Sequence, residues 1–405
     1  MSKQTDITRV PKLRFPEFNG EWKLENIGKF IKDFKQKTTV QDEYPVFTSA
    51  RTGLIMQSEY FEGSRISERD NIGYHILPPK HLTYRSRSDD RTFYFNENLT
   101  EITGIISHYY PVFKIINGKN KFFKELFARK RHYLGKYSVG TSQTVLSHKV
   151  LKEIILPIPS FDEQLKISAC LYTIDKKISE MERKKELLVR YKKGSMNKLF
   201  SQEIRFKNHN GSQFPDWAEK RLDELFFRVQ DKNKGGVNTN ILTISAQKGL
   251  VNQRQYFTKN IASKDTSNYF LLYENDFAYN KSYSAGYPMG AIKRLKKYHS
   301  GILSPLYICF RPIESTNSDF YEQYFESGFL NHWLSKITQE GARNHGLLNM
   351  AISDFFASRL PSPHPAEQYK ISRFLMAIDK RIRLAESELE LAYSFKRGLL
   401  QQMFV

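Results

Sequence analysis

"LPIPSFDEQLKISACLYTIDKKI" runs from Leu156 to Ile178, and "LPSPHPAEQYKISRFLMAIDKRI" runs from Leu360 to Ile382. Aligning Leu156 with Leu360 matches Pro157 with Pro361, Pro159 with Pro363, Glu163 with Glu367, Gln164 with Gln368 and Asp175 with Asp379. The register holds without a gap to "KGSMNKLF", ending at Phe200, and "RGLLQQMF", ending at Phe404. Self-similarity over half a chain marks a tandem duplication and fixes the architecture before any local reading.

Within the first copy Ile167, Leu171, Ile174, Ile178 and Met181 recur at steps of four and three, then skip Lys185, and in the second Ile371, Leu375, Ile378, Ile382, Ala385 and Leu389 keep the same spacing. A narrow apolar seam between charged positions is the pattern of a coiled coil. The prolines of each "LPxP" forbid helix there, and Asp162, Glu163 and Glu367 suit the helix N-terminus that follows. Each copy therefore closes with one helix of close to forty residues, on the order of 55 to 60 Å at 1.5 Å per residue. A lone helix cannot bury such a seam, so the two are expected to pack together as an antiparallel pair.

Working outward, "SARTGLIMQSEYF" from Ser49 answers "SAQKGLVNQRQYF" from Ser245, and "GIISHYYPVF" from Gly104 answers "GILSPLYICF" from Gly301. Arg14, Phe15 and Trp22 open the first copy as Arg205, Phe206 and Trp217 open the second. Short β-rich runs such as "TFYFN" alternate with helical stretches such as "FFKELFARKRHYL", which predicts α+β domains. The expected division is a globular domain over 1–155, a helical spacer over 156–200, a second globular domain over 201–359 and a second spacer over 360–405. The fold class is α+β, with two related globular domains separated by two long helices and an internal pseudo-twofold repeat.

Over 405 residues, 40% are hydrophobic and 14% aromatic, the composition of a globular chain and not of a disordered one. A run of 18 apolar residues able to span a bilayer does not occur. The opening "MSKQTDITRVPKLRFPEF" has no apolar stretch like a secretory signal, and Cys170 and Cys309 stand far apart, so a reducing cytoplasm is expected. A formal charge of +20 points to a polyanionic partner, nucleic acid ahead of an acidic membrane. The mixed charges of "ERKKELLVRYKK" from Glu182 read as a solvated helix face.

The two copies differ most in polar segments. "LTYRSRSDDRT" from Leu82 is set against "AYNKSYSAGYP" from Ala278, and "SVGTSQT" from Ser138 against "EGARNHG" from Glu340. Arg or Lys can pair with guanine, Asn or Gln with adenine, and Ser or Thr with either. Candidate DNA-contacting residues are thus Arg51, Tyr84, Arg85, Ser86, Arg87, Thr141, Ser142 and Gln143 in the first copy. In the second they are Gln247, Lys248, Asn280, Lys281, Ser282, Tyr283, Tyr287, Arg343, Asn344 and His345. Related domains with unlike polar loops are what reading two unlike half-sites requires.

No phosphate-binding "GxxxxGK[ST]", "HExxH", zinc-spaced Cys/His set, "GxGxxG" or "NPPY"-like tetrapeptide occurs, so no catalytic residue or metal site is expected. "PDWAEK" at Pro215 is too compressed for a nuclease centre and occupies the repeated Trp opening. Two other classes stay open on residues alone: a stand-alone DNA-modifying enzyme with an unrecognised site, and a coiled-coil scaffold.

The opening "PKLRFPEFNGEW", the paired phrases, "GILSPLYICFRP" and the ending "KRGLLQQMF" resemble type I restriction-modification specificity subunits over essentially the whole chain. The resemblance implies two target recognition domains that read the halves of a bipartite, asymmetric DNA sequence, with the helices setting the unread spacer. It implies a non-catalytic chain without a cofactor of its own. Two methyltransferase subunits would bring S-adenosylmethionine and methylate adenine, and two restriction subunits would use ATP and magnesium. The first copy departs from the family pattern where "SHYY" stands in place of the "SP" of Ser304 and Pro305.

Overall fold

The computed structural model describes residues 9–60, 70–257, 265–338 and 348–405. The chain forms two compact units, one of Met1–Arg183 with Ser387–Val405, the other of Lys184–Glu386.

In the first unit, strands Ile31–Phe34, Val112–Ile115, Leu82–Tyr84 and Phe95–Glu97 make an antiparallel four-stranded sheet in that order. Helix Asn120–Arg129 lays Phe122, Phe123, Leu126 and Phe127 into the core beneath it. The hairpin Phe47–Ala50 with Gly53–Met56 and the pair His75–Leu77 with Gly104–Ile106 lie beyond the sheet. Pro157 of "LPIP" sits in strand Ile155–Ile158, which among the described residues pairs only with Lys23–Asn26, so a missing N–H is tolerated, and Pro159 follows the strand.

The second unit repeats this element by element. Its sheet runs Phe226–Arg228, Ile308–Pro312, Phe277–Asn280, Ala291–Arg294, with helix Ser318–Ser327 packed against it. Its hairpin is Leu242–Ser245 with Gly249–Asn252, its outer pair Phe270–Tyr273 with Ser300–Leu303, and Ala218–Arg221 pairs with the "LPSP" strand Arg359–Ser362. The α+β class and the internal repeat are therefore as the duplicated sequence predicts.

Phe161–Phe200 and Pro365–Met403 are the two long helices. Ile167, Leu171 and Ile178 are buried in one, Ile371, Leu375, Ile378 and Ala385 in the other, as the seam requires. Each unit contains a stretch of both, and in each the stretches run antiparallel. In the first unit Asp175 pairs with Lys396 at 2.7 Å and Glu182 accepts from the Tyr393 hydroxyl. In the second Lys185 pairs with Glu386 at 3.1 Å and Lys192 with Asp379 at 2.7 Å. Lys185, where the seam skips an apolar step, thus keeps its charge opposite a carboxylate.

The repeated "EQ" acquires a physical reason. Glu163 and Glu367 do lie in the first helical turn, but their carboxylates turn inward and are 1% and 0% exposed. Glu163 accepts from Arg14 and Trp22, and Glu367 from Arg205 and Trp217, so the opening of each copy is tied to its closing helix. The neighbouring Gln164 and Gln368 donate to the carbonyls of Pro159 and Pro363 at 3.1 and 2.9 Å, closing the turn that starts each helix.

Candidate nucleic-acid interface

In the first unit three segments distant in sequence converge on one concave cleft of ≈ 630 Å³: the turn of the Phe47–Ala50 hairpin, the loop after strand Leu82–Tyr84, and the segment at Gln143. Arg51, Arg85, Arg87 and Gln143, all expected contact residues, line it together and are exposed.

Their geometry differs. Arg51 donates to Asp90 at 2.7 Å and lies 5.4 Å from the Tyr94 ring centre. Asp90 also accepts from the hydroxyls of Thr92 and Ser88 at 2.5 and 2.8 Å, and these hydrogen bonds hold its carboxyl well below the usual range. Arg51 is therefore anchored. The Arg87 guanidinium carbon lies over the Tyr109 ring, 4.1 Å from its centre, a cation–π contact that holds it without using its donors. Neither Arg85 nor Arg87 has a carboxylate partner among the described residues. Gln143 donates to Asp89 at 3.4 Å, the one hydrogen bond to the Asp89 side chain among the described residues.

Ser86 donates its hydroxyl to the Tyr109 carbonyl at 2.7 Å, which fixes the loop and leaves the side chain half-buried. Thr141 and Ser142 are exposed beside the cleft but do not line it. Tyr84 requires a correction. It is 0% exposed among Phe93, Phe95 and Phe113, and its hydroxyl donates to the Leu146 carbonyl at 2.9 Å. Burial pushes its pKa up. Tyr84 belongs to the core, where it cannot touch DNA.

In the second unit Gln247 occupies the matching hairpin turn and donates to the Ala285 carbonyl at 3.2 Å, so turn and loop again meet. Lys248 is exposed and approaches the Tyr256 ring at 5.8 Å. Asn280 caps its own loop, its side-chain oxygen accepting from the Ser282 N–H at 3.1 Å, and Lys281 and Ser282 are half-buried. Tyr283 is 65% exposed. The Tyr287 hydroxyl accepts from Lys293 at 3.0 Å and donates to Glu326 at 2.8 Å, so it braces the loop from within. Arg343, Asn344 and His345 lie outside the described residues.

The loops also match one residue differently from the sequence alignment. Leu82 faces Phe113 across the sheet as Phe277 faces Phe310, and the Leu146 N–H reaches the Ser86 carbonyl at 2.9 Å as the Leu348 N–H reaches the Lys281 carbonyl at 2.8 Å. Tyr84 thus corresponds to Tyr279, also 0% exposed, and Arg85, Ser86 and Arg87 correspond to Asn280, Lys281 and Ser282. Sequence reading also missed the tyrosines of the first cleft, Tyr74, Tyr94, Tyr109 and Tyr110 among them. The aromatic interleaving of "SHYY" and "TFYF" beside arginine was the available signal. Among the described residues no cluster of His, Cys, Asp and Glu is placed to hold a metal ion, and no helix is long and apolar enough to cross a membrane.

Two duplicated α+β units, each presenting unlike polar loops beside a hairpin turn, are the frame in which similarity to known proteins is read. Residues 21–189 match the family model described as Type I restriction modification DNA specificity domain. It is 24% identical over 289 residues to the putative type I restriction enzyme MjaX specificity subunit of Methanocaldococcus jannaschii, covering 66% of this chain and 62% of that one. It is 25% identical over 242 residues to the type I restriction enzyme MjaVIII specificity subunit of the same organism, covering 55% and 52%. These matches span less than two thirds of the length of either relative. The crystal structure of a type I restriction-modification system S subunit from M. genitalium shares the fold, with a TM-score of 0.56 at 13% identity over 98% of this chain and 99% of that one.

Proposed function

We propose that the chain reads DNA sequence for a type I restriction-modification complex, with target recognition domains over 1–155 and 201–359 and conserved helical blocks over 156–200 and 360–405. Each domain reads one half of a bipartite, asymmetric target. Two methyltransferase and two restriction subunits supply the chemistry, with S-adenosylmethionine, ATP and magnesium bound there, and this chain performs no reaction itself. The observation that carries the reading is the convergence of Arg51, Arg85, Arg87 and Gln143, from three separate segments, on one cleft of the first unit. Guanidinium and amide donors gathered in a concavity, on a chain of net charge +20, suit the phosphates and base edges of a duplex.

The test is an exchange of residues 201–359 for the equivalent block of a relative, followed by mapping of methylated sites in a complete complex. One half of the recognised sequence changes and the other stays. A change in both halves, or in neither, defeats modular reading. Non-specific DNA affinity also falls steeply between about 50 and 200 mM salt, because Lys and Arg contacts to phosphate release counterions.

A further inference from the structure

The corrected register sets the two loops side by side, position for position. Arg85 of the first unit stands where the second has Asn280, and Arg87 stands where the second has Ser282. Three observations separate the chemistry of these positions. Arg85 and Arg87 are exposed on the cleft and pair with no carboxylate among the described residues, so both forks of donors remain open. Arg87 lies with its guanidinium carbon over the Tyr109 ring, 4.1 Å from the ring centre, which holds it in the cleft without using its donors. Asp89, in the same cleft, accepts among the described residues only from Gln143 at 3.4 Å, whereas Asp90 is saturated by Ser88, Thr92 and Arg51.

Two open guanidinium forks beside an open carboxylate match the major-groove edge of a G·C pair. Guanine offers O6 and N7 as paired acceptors, and cytosine offers its N4 amino group to a carboxylate. Asn280 presents the other code. Its side-chain oxygen uses one lone pair on the Ser282 N–H at 3.1 Å, which fixes the amide plane. A second lone pair and the amide N–H₂ remain for adenine N6 and N7.

We infer that the half-site read by the first unit presents guanines to Arg85 and Arg87, whereas the half-site read by the second presents adenine to Asn280. This rests on the reading of the chain as a specificity subunit and names the bases that reading leaves open.

The experiment is methylated-site mapping on the complex assembled with its methyltransferase partner, for the natural chain and for Arg85→Asn, Arg87→Gln and Asn280→Arg. In the natural chain, the half-site left unchanged by exchange of residues 201–359 contains guanine at two positions. Arg85→Asn and Arg87→Gln each relax one of those positions, with guanine preference falling roughly 10- to 100-fold, the range of one bidentate pair. Asn280→Arg moves one position of the other half from adenine to guanine. Guanine missing from the first half-site of the natural chain overturns the inference without any variant having to fold. Uniform weakening on every sequence overturns it too, since it marks phosphate contacts. Absence of any site-specific methylation by the natural complex removes the specificity-subunit reading itself, and the inference with it.

Discussion

In the first unit Glu163 accepts from Arg14 at 2.8 and 2.7 Å and from Trp22 at 3.2 Å; in the second Glu367 accepts from Arg205 at 3.1 and 2.8 Å and from Trp217 at 3.0 Å. Asp175 pairs with Lys121 of a core helix and Lys396 of a long helix, and Asp379 with Gln323 of the matching core helix, one turn further along, and Lys192 of a long helix. Against this sameness, Arg51, Arg85 and Arg87 are answered by Gln247, Asn280 and Ser282. The difference follows from burial. A carboxylate shut away from water must keep its partners or leave a charge uncompensated, so the frame tolerates little drift after duplication. Loop tips in water carry no such penalty and are free to differ.

The largest expected effect breaks that frame. Glu163→Ala takes the buried carboxylate from Arg14 and the Trp22 N–H in the first unit, leaving Arg14 its bond to the Gly20 carbonyl, and Glu367→Ala takes it from Arg205 and Trp217 in the second, leaving Arg205 the carbonyls of Phe214 and Pro215 and the exposed Asp216. Removing one partner of a buried pair costs about 3–5 kcal/mol. Urea unfolding of the full chain should show losses of this order for both variants. A loss under about 1 kcal/mol for either would mean that the matched pairs are not equivalent supports.

The next test uses the matched glycines Gly104 and Gly301. A Cβ on Gly104 would lie 2.1 Å from the buried Phe47 ring and 2.9 Å from the Pro45 carbonyl; on Gly301 it would lie 2.5 Å from Leu242 and 3.0 Å from the Asn240 carbonyl. Overpacking of this kind costs about 1–3 kcal/mol. Gly104→Ala should sit at the upper end, because a ring moves as a plate where Leu242 can change rotamer. Equal unfolding midpoints for the two variants would contradict that ranking.

Helix caps give a smaller contrast. Asn317 caps helix Ser318–Ser327 by accepting from the Phe320 N–H at 3.1 Å, whereas Lys119 precedes Asn120–Arg129 with no side-chain cap. Asn317→Ala should destabilise by about 1 kcal/mol, and Lys119→Asp should stabilise by somewhat less, since it also gives up the Lys119 contact with the Phe161 ring. Thermal unfolding that moves the same way for both would show that capping is not the difference between these helices.

Much of this was legible in sequence, and the exceptions share a cause. The duplicated phrase announced its helices because prolines, an apolar step of four and three, and paired acidic residues each report on backbone geometry directly. The antiparallel packing followed from the need to bury two matching seams. Tyr84 was misread because tyrosine suits both a core and a binding surface, and only the sheet, which sets Leu82 against Phe113, reveals which way it faces. The same alternation hid the one-residue shift between Arg85 and Asn280. The cleft itself joins residues as far apart as Arg51 and Gln143, and no local pattern carries that closure.

The smallest effect concerns acid, and it too separates the units. His148 of the first unit hydrogen-bonds Asp33 at 2.9 Å, and Lys152 reaches the same carboxylate at 3.0 Å. The matched position to Asp33 is Arg228, since each faces a core phenylalanine, Phe113 or Phe310, and His148, first residue of helix His148–Glu153, is matched by Ile352, first residue of helix Ile352–Phe356. Burial lowers the pKa of His148 from its ordinary 6.5, aided by repulsion from Lys152 and Lys35, although the Asp33 carboxylate works in the opposite direction. A histidine lowered on folding binds a proton more readily when unfolded, so it contributes stability that is present above about 6.5 and fades as pH falls toward the folded value. The shift is modest because Asp33 opposes it, which makes the slope shallow. His75, lowered by burial as well, contributes part of the same slope. Stability measured by urea unfolding should therefore decline from pH 7 to pH 5, and His148→Met, which removes the titrating ring as the apolar Ile352 of the second unit does, should flatten that decline in part. The ring centre lies 5.2 Å from that of Phe113, the two rings tilted, so the flexible methionine keeps the apolar contact while removing the titrating group. An unchanged slope in His148→Met would place the acid sensitivity elsewhere and erase this distinction between the units.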